Sequence, residues 1–459
     1  MFFKQFRVEG LGCLSYMLGC PQDGRAFVVD PKRDIDEYLT AADDNGLRIT
    51  GIIDTHVHAD HISGGQELRA CTGADIHIHE NAGALYEHKP LRDGDRFDIG
   101  NVGIEVLFTP GHTPNAVTLA VTDRSRGDDP QLLLTGDLLF VGSIGRPDLA
   151  GGELLDEQVE NLYASLHEKL GRFPDLVEVY PAHGQGSLCG SGLSAKPSST
   201  LGFERTSNPY FKLSFDAFKT ELTSSTPFRP RNFSHIISCN RQGARLRADL
   251  DTPVKLTAAD LKKALQAGTT IVDLRNAAAF GGAHIPGSLN IGFTPQSATW
   301  LGTVVDPDRP LVLLADNRHD IDAGIQHFRR AGYDLITGWF AGITDWIARG
   351  EETGFLPQLS IHGLQRVLEK YANHTVVDVR RDEEWRSGHI AGAQHLPLHV
   401  LIDRQDLPFS ADDHISVICG SGYRSNIAGS LLKSRGFNHV YSVIGGMNAW
   451  KKVYAVEQG

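Results

Sequence analysis

Thr55-His56-Val57-His58-Ala59-Asp60-His61 places three imidazoles and a carboxylate within six residues. Such a stretch makes a poor solvated loop unless a cation holds it, and imidazole with carboxylate suits zinc, iron or manganese. Three further candidates end apolar runs. His112 stands in Thr109-Pro110-Gly111-His112, Asp137 in Thr135-Gly136-Asp137, and His183 in Pro181-Ala182-His183-Gly184. Strand ends are where loops converge on one site, and the neighbouring glycines allow close backbone approach. A second chemistry lies near the end of the chain. Cys419 closes the apolar run 414–418 and opens Cys419-Gly420-Ser421-Gly422-Tyr423-Arg424-Ser425, with a helix-like run from Asn426 to Ser434 behind it. Gly420 and Gly422 let the backbone curl so that N–H groups face the sulfur, while the helix start and Arg424 favour a thiolate or a bound anion.

These residues need elements to position them. Residues 1 to about 190 alternate strand-like runs, such as Phe27-Val28-Val29 and Ile52-Ile53, with helix-like runs, such as 153–170 ending at Gly171. From Ser187 to about Asp251 the chain is rich in Gly, Ser, Pro and Arg, as in Arg229-Pro230-Arg231, which predicts an extension and linker wrapping the first domain. The last 200 residues hold an internal repeat. Ile271-Val272-Asp273-Leu274-Arg275 recurs as Val376-Val377-Asp378-Val379-Arg380, His284-Ile285-Pro286-Gly287 as His389-Ile390-Ala391-Gly392, and Trp346 as Trp450. At the register of the two tryptophans Cys419 maps to Ala315, Gly422 to Arg318 and Arg424 to Asp320, so the first repeat has no thiol, lacks the second glycine and reverses the arginine's charge. The expected domains are therefore 1–251, an inactive unit 252–354 and an active unit 355–459.

The chain has 459 residues, 41% hydrophobic and 22% charged, with a net charge of −12 from 44 basic and 56 acidic side chains. That balance argues against a nucleic-acid or anionic-membrane partner. Six cysteines are too few for a disulfide framework. The opening residues 1–9 show no signal-peptide pattern, and no apolar run reaches about 20 residues, so a soluble, reducing, cytoplasmic setting is expected.

On the histidine and aspartate motifs, residues 1–190 resemble the metallo-β-lactamase superfamily. The resemblance implies an αββα sandwich with metal between the sheets. In hydrolytic members such as glyoxalase II two metals bind: the first would take His56, His58 and His112, the second Asp60, His61 and His183, with Asp137 bridging. That alternative is a dinuclear zinc thioester hydrolase. Gly136-Asp137-Leu138-Leu139-Phe140 with Gly145-Arg146-Pro147-Asp148 is more similar to the persulfide dioxygenase branch. There, one Fe(II) per chain would be held by His56, His112 and Asp137, a face that leaves positions open for sulfur and O₂. His58, Asp60, His61 and His183 would then serve a second metal or support the first, and Arg146 would bind the anionic part of the carrier thiol. Both repeats resemble the rhodanese family, which implies two α/β domains with central parallel sheets. Cys419 would carry a persulfide, with Gly420, Ser421, Gly422, Tyr423 and Arg424 around the substrate. Together the resemblances imply oxidation of a low-molecular-weight thiol persulfide by O₂ to sulfite and thiol. The rhodanese would then give thiosulfate, in sulfide and sulfane-sulfur detoxification; a homo-oligomer is left open.

The remaining candidates are weaker. His77 and His79 at period two predict a solvated strand face. His88 and His167 receive no role. Cys189, six residues after His183, is placed near the metal site, either as a persulfide-handling or regulatory thiol or as a structural one. Cys13, Cys20 and Cys71 read as structural.

Overall fold

In a computed structural model, residues 1–8, 10–190, 192–224, 228–371 and 373–458 are described. The chain divides into two compact units, Met1–Leu250 with Phe328–Gly332, and Asp251–His327 with Tyr333–Gly459.

The first unit is an αββα sandwich. One six-stranded sheet runs in the order Phe2–Arg7, Leu14–Cys20, Arg25–Val29, Arg48–Ile53, Asp75–His79, Lys89–Leu91. The other runs Ser199–Thr200, Glu178–Pro181, Leu132–Gly136, Val117–Asp123, Val102–Phe108, Arg96–Ile99. Every residue of Leu14–Cys20 is buried, and its two faces serve different layers. Leu14, Tyr16, Leu18 and Cys20 enter the core between the sheets, where they meet Ile104, Val106, Leu119 and Leu134 of the second sheet. Met17 instead packs outward with Val28, Ile52 and Ile76 against Tyr38 and Leu68 of two covering helices, Asp36–Asp44 and Gly65–Thr72. The second sheet is covered on its far side by Leu155–Ala164 and Phe215–Thr223, through Val159, Leu162 and Phe218. Strands buried on both faces explain why this sequence shows apolar runs rather than clean alternation.

Two features differ from the sequence expectation. The stretch expected to be an extension and linker stays with the first unit, and it carries the helices Leu201–Ser207, Phe215–Thr223 and Asn232–Gln242. Two of them start with side-chain caps, Thr200 accepting from Phe203 N–H and Ser214 from Ala217 N–H. Here a serine of the kind that reads as loop composition, and a threonine beside it in type, begin helices. His77 and His79 are not on a solvated face either. His79 is buried and stacks on Phe108 with ring centroids 4.2 Å apart, and His77 packs between Phe27 and Phe97.

The second unit holds two five-stranded parallel sheets of one plan. The strand orders are Val254–Lys255, Ile336–Ala341, Leu311–Ala315, Thr270–Asp273, Leu289–Asn290 and Gln358–Leu359, His439–Val443, His414–Ile418, Thr375–Asp378, Gln394–His395. All pairings within both are parallel. The repeated Asp-x-Arg motif is a buried clamp in each. Arg380 Nε lies 2.9 Å from both oxygens of Asp378, and its Nη2 also reaches the Gly388 carbonyl at 2.9 Å. Arg275 holds Asp273 and the Ala283 carbonyl in the same way. The repeated histidine packs alike in both repeats. His284 stacks on Phe280 with ring centroids 4.0 Å apart, and His389 on Trp385 at 3.6 Å.

Breaking a buried pair leaves an uncompensated charge, a loss of about 3–5 kcal/mol. Asp378→Ala therefore lowers the urea midpoint of the second unit's unfolding, followed by circular dichroism. Replacing both partners, Asp378→Leu with Arg380→Met, costs much less than the single change.

Candidate functional site

His56 and His112 reach the same carboxylate. Their Nε2 atoms lie 3.8 and 3.3 Å from Asp137 Oδ2. The backbone decides which ring nitrogen each presents. His112 Nδ1 donates to the Arg146 carbonyl at 2.8 Å, so its Nε2 carries the lone pair. Thr55 Oγ1 donates to Asp30 Oδ2 at 2.9 Å and so accepts from His56 Nδ1 at 3.0 Å, which leaves His56 Nε2 as the lone-pair atom. Burial pulls both histidines below their ordinary range, keeping the rings neutral. Asp137 is buried, a change that alone would raise its pKa, yet the neighbouring His183, His112 and His56 hold it well below the usual carboxylate range. His56 Nε2 and Asp137 Oδ2 are buried with no hydrogen-bond partner among the described residues. Two imidazole lone pairs facing an unpartnered carboxylate oxygen are what a divalent cation requires, so these residues fit a metal.

The other four motif residues are tied to one another or to their neighbours. His183 engages Asp137 Oδ1 through Nδ1 at 2.6 Å and Asp60 Oδ2 through Nε2 at 2.7 Å. Cys13 donates its thiol proton to Asp60 Oδ2 at 3.1 Å, and His61 Nδ1 lies 3.2 Å from Asp60 Oδ1. Cys13, Asp60, His61 and His183 thus form a second buried donor cluster. His58 turns Nε2 to Asp30 Oδ1 at 3.0 Å, and its Nδ1 is buried without a partner among the described residues. Cys189 lies with Asp137 and His183 in a third cluster, and burial pushes its thiol far above its ordinary value.

Sequence reasoning missed Asp30, which holds Thr55 N–H at 2.7 Å, the Thr55 hydroxyl and His58 at once. It is the one non-glycine residue with positive φ among the described residues, at 52°, a conformation that costs energy and is held by its surroundings. A carboxylate ending the apolar run Phe27-Val28-Val29 was the available clue, the same strand-end pattern that marks Asp137. Cys13 was also missed as a neighbour of the site. Gly145 shows why the motif needs glycine: a Cβ there would sit 1.9 Å from the Asp137 carbonyl and 3.0 Å from His112 Nδ1.

Arg146 corrects an expectation. It was expected to bind a carrier thiol, but it is buried, with Nε on Asp148 at 2.7 Å and Nη1 on the Phe228 carbonyl at 3.0 Å. Its guanidinium fastens the loop whose carbonyl orients His112.

The cysteine site is built on a tight loop. Cys419 is buried, and Gly422 N–H donates to its sulfur at 3.1 Å. Gly422 has φ 112°, which favours glycine, and leads into the helix Tyr423–Ser434. Arg424 is bound by Glu384, both contacts at 2.6 Å. Burial alone would lower the Arg424 pKa, but Glu384 outweighs it and raises it. In the first repeat Ala315 ends the corresponding strand, and Asn317 accepts from Asp320 N–H at 2.9 Å before an ordinary helix, Arg318–Arg330. No sulfur stands at that strand end.

Comparison with known proteins follows this division. Residues 8–183 match the model of the metallo-beta-lactamase superfamily. The chain is 31% identical over 241 residues to the mitochondrial persulfide dioxygenase of Bos taurus, covering 52% of this chain and 85% of that protein. The chain belongs to the metallo-beta-lactamase superfamily. Its residues 257–349 and 361–453 each match the rhodanese-like domain, so two such domains follow the superfamily fold. A hydroxyacylglutathione hydrolase of Polaromonas sp. is 36% identical over 172 residues, 37% of this chain and 61% of that one. Among solved structures, a metallo-beta-lactamase of Staphylococcus aureus aligns with TM-score 0.68 and 31% identity, over 74% of this chain and 99% of that chain. Among the described residues no helix is long and apolar enough to cross a membrane.

Removing a group that orients a metal-binding histidine typically costs about 10- to 100-fold in metal affinity. Asp30→Ala releases Thr55 and His58 together and lowers affinity for Fe(II) or Zn(II) by about that factor, measured by competition with a chromophoric chelator.

Proposed function

We propose that this chain is an iron-dependent persulfide dioxygenase joined to a rhodanese sulfurtransferase, acting in sulfane-sulfur detoxification. The observation that carries the reading is the difference between the two carboxylates. Asp137 Oδ2 has no hydrogen-bond partner among the described residues and faces His56 Nε2 and His112 Nε2, whereas both oxygens of Asp60 and both ring nitrogens of His183 are already engaged, which leaves only His61 Nε2 of that cluster without a partner among the described residues. That difference favours one metal, held by His56, His112 and Asp137. The persulfide dioxygenase relative and the two rhodanese-like domains support the same sulfur chemistry.

Bound there, Fe(II) supplies the redox chemistry by which O₂ reacts with a sulfane sulfur. The overall reaction is RSSH + O₂ + H₂O → RSH + SO₃²⁻ + 2 H⁺, in which the outer sulfur loses four electrons to O₂. The chain's own residues orient and exclude. The Arg146 carbonyl and Thr55 fix the two rings, His183 holds Asp137 Oδ1 so that Oδ2 faces inward, and burial keeps water from the donors. In the second step Cys419 thiolate takes the outer sulfur of RSSH and releases RSH. The resulting Cys419–S–S⁻ passes that sulfur to SO₃²⁻, giving S₂O₃²⁻ and the free thiolate. We assign this step to 355–459 and none to 252–354, which lacks the thiol. The transfer step needs a free Cys419 thiol and suits a reducing cytoplasm; no disulfide links the cysteines among the described residues.

The second reading is a dinuclear zinc thioester hydrolase, favoured by the presence of all seven donors and by the hydroxyacylglutathione hydrolase relative. Anaerobic reconstitution separates the two. One iron per chain, with O₂ uptake on glutathione persulfide that His112→Ala abolishes, is expected. Two zincs per chain with thioester turnover and no O₂ uptake would replace this reading by the other. Cys419→Ser is expected to keep O₂ uptake and shift the product from thiosulfate to sulfite. Undiminished thiosulfate would sink the coupling.

A further inference from the structure

The unit that carries both repeats contains a cavity of about 510 Å³ whose wall is divided between them. The thiol-free repeat supplies Gln296 and Trp300, and the intact repeat supplies Arg381, Ser421, Tyr423 and Arg424. Three of these belong to the loop and helix that hold Cys419. Sites for small organic molecules run from about 300 to 1,000 Å³. A sulfur oxyanion would fill a minor part of this one, whereas a thiol of dipeptide or tripeptide size is of the right order.

The wall is anchored rather than incidental. Tyr423 donates its hydroxyl to the Gly292 carbonyl at 2.7 Å, and the Arg424 guanidinium lies 5.7 Å from the centre of the Trp300 ring. Asn290 N–H donates to Ser430 Oγ at 3.1 Å, fixing the same helix to the first repeat. Trp300 rides on the helix Ser297–Val304, whose Ala298, Leu301 and Val304 are buried while Trp300 keeps part of its ring accessible. Arg424 is neutralised by Glu384, which also lines the wall. An indole face beside polar side chains suits an organic group with hydrogen-bonding ends.

We propose that this cavity is the donor site for Cys419 and holds the organic part of a low-molecular-weight thiol persulfide, with Trp300 of the thiol-free repeat covering it. The proposal rests on the sulfurtransferase half of the function above. Cys419 thiolate attacks the outer sulfur of RSSH. A new S–S bond forms to Cys419, the original S–S bond breaks, and RS⁻ leaves with the persulfide proton as RSH.

The full chain tests this without O₂, so that only transfer through Cys419 is read. Thiocyanate formed from cyanide is measured with either glutathione persulfide or thiosulfate as donor. In Trp300→Ala the KM for glutathione persulfide rises about five- to ten-fold with kcat unchanged, the loss expected of one aromatic contact. The KM for thiosulfate stays near its wild-type value, and Trp300→Phe restores most of the persulfide KM. An equal rise for both donors would mean a purely structural role, and no rise for the persulfide would remove Trp300 from the site; either overturns the proposal. No thiocyanate from either donor in the unaltered chain would overturn the Cys419 reading as well, whereas O₂ uptake at the metal site is measured separately.

Discussion

Asp137 Oδ2 is buried without a hydrogen-bond partner among the described residues, in a chain that satisfies the other oxygen of the same carboxylate through His183. Half a carboxylate is costly to bury unless a cation meets it. Much of the first unit can be read as the means of holding that arrangement. The parallel pairing of Leu132–Gly136 with Glu178–Pro181 brings Asp137 and His183 to adjacent strand ends. Gly136, with φ 50°, turns the chain at the end of its strand. Gly145 lets the next loop press onto the Asp137 backbone, so that the Arg146 carbonyl can orient His112. The buried Arg146 guanidinium then fastens that loop from behind.

The motif residues were legible because each stands at the end of an apolar run, where a sheet delivers side chains to one rim. The sequence also exposed the repeat and the loss of its thiol, since a register of motifs survives where overall similarity is thin. What stayed hidden has physical reasons. Asp30 makes three of the site's orienting contacts, but one acid at a strand end has no spacing to distinguish it from a turn residue. Cys13 meets His183 through an isolated antiparallel bridge between segments far apart in the chain. Period two places His77 and His79 on one side of a strand but cannot say whether that side meets water or, as here, aromatic rings. The helices between 201 and 242 were obscured because capping residues and loop residues are the same types.

The two repeats separate what the rhodanese-like fold needs from what its chemistry needs. Both keep the buried Asp–Arg clamp, the histidine stacked on an aromatic ring and the same parallel strand order. Those features hold the loops after the strands in place, whatever the loops do. Only one repeat has the cradle. Ala315 and the Asn317 cap show the alternative outcome at the same position, a strand running into a capped helix with no thiol at its end.

Within the cradle, the arginine that reads as the anion-binding charge is already spent on Glu384, a residue 40 positions away. The attraction for a thiolate therefore falls on the Gly422 N–H, which lies 3.1 Å from the sulfur, and on the helix start behind it. Those groups recognise negative charge without regard to what carries it. A loop motif of this kind can specify a nucleophile but not its donor. Discrimination between donors has to come from side chains supplied elsewhere in the sequence, and in this unit the wall beside the loop includes the indole of Trp300 from the repeat that cannot itself react.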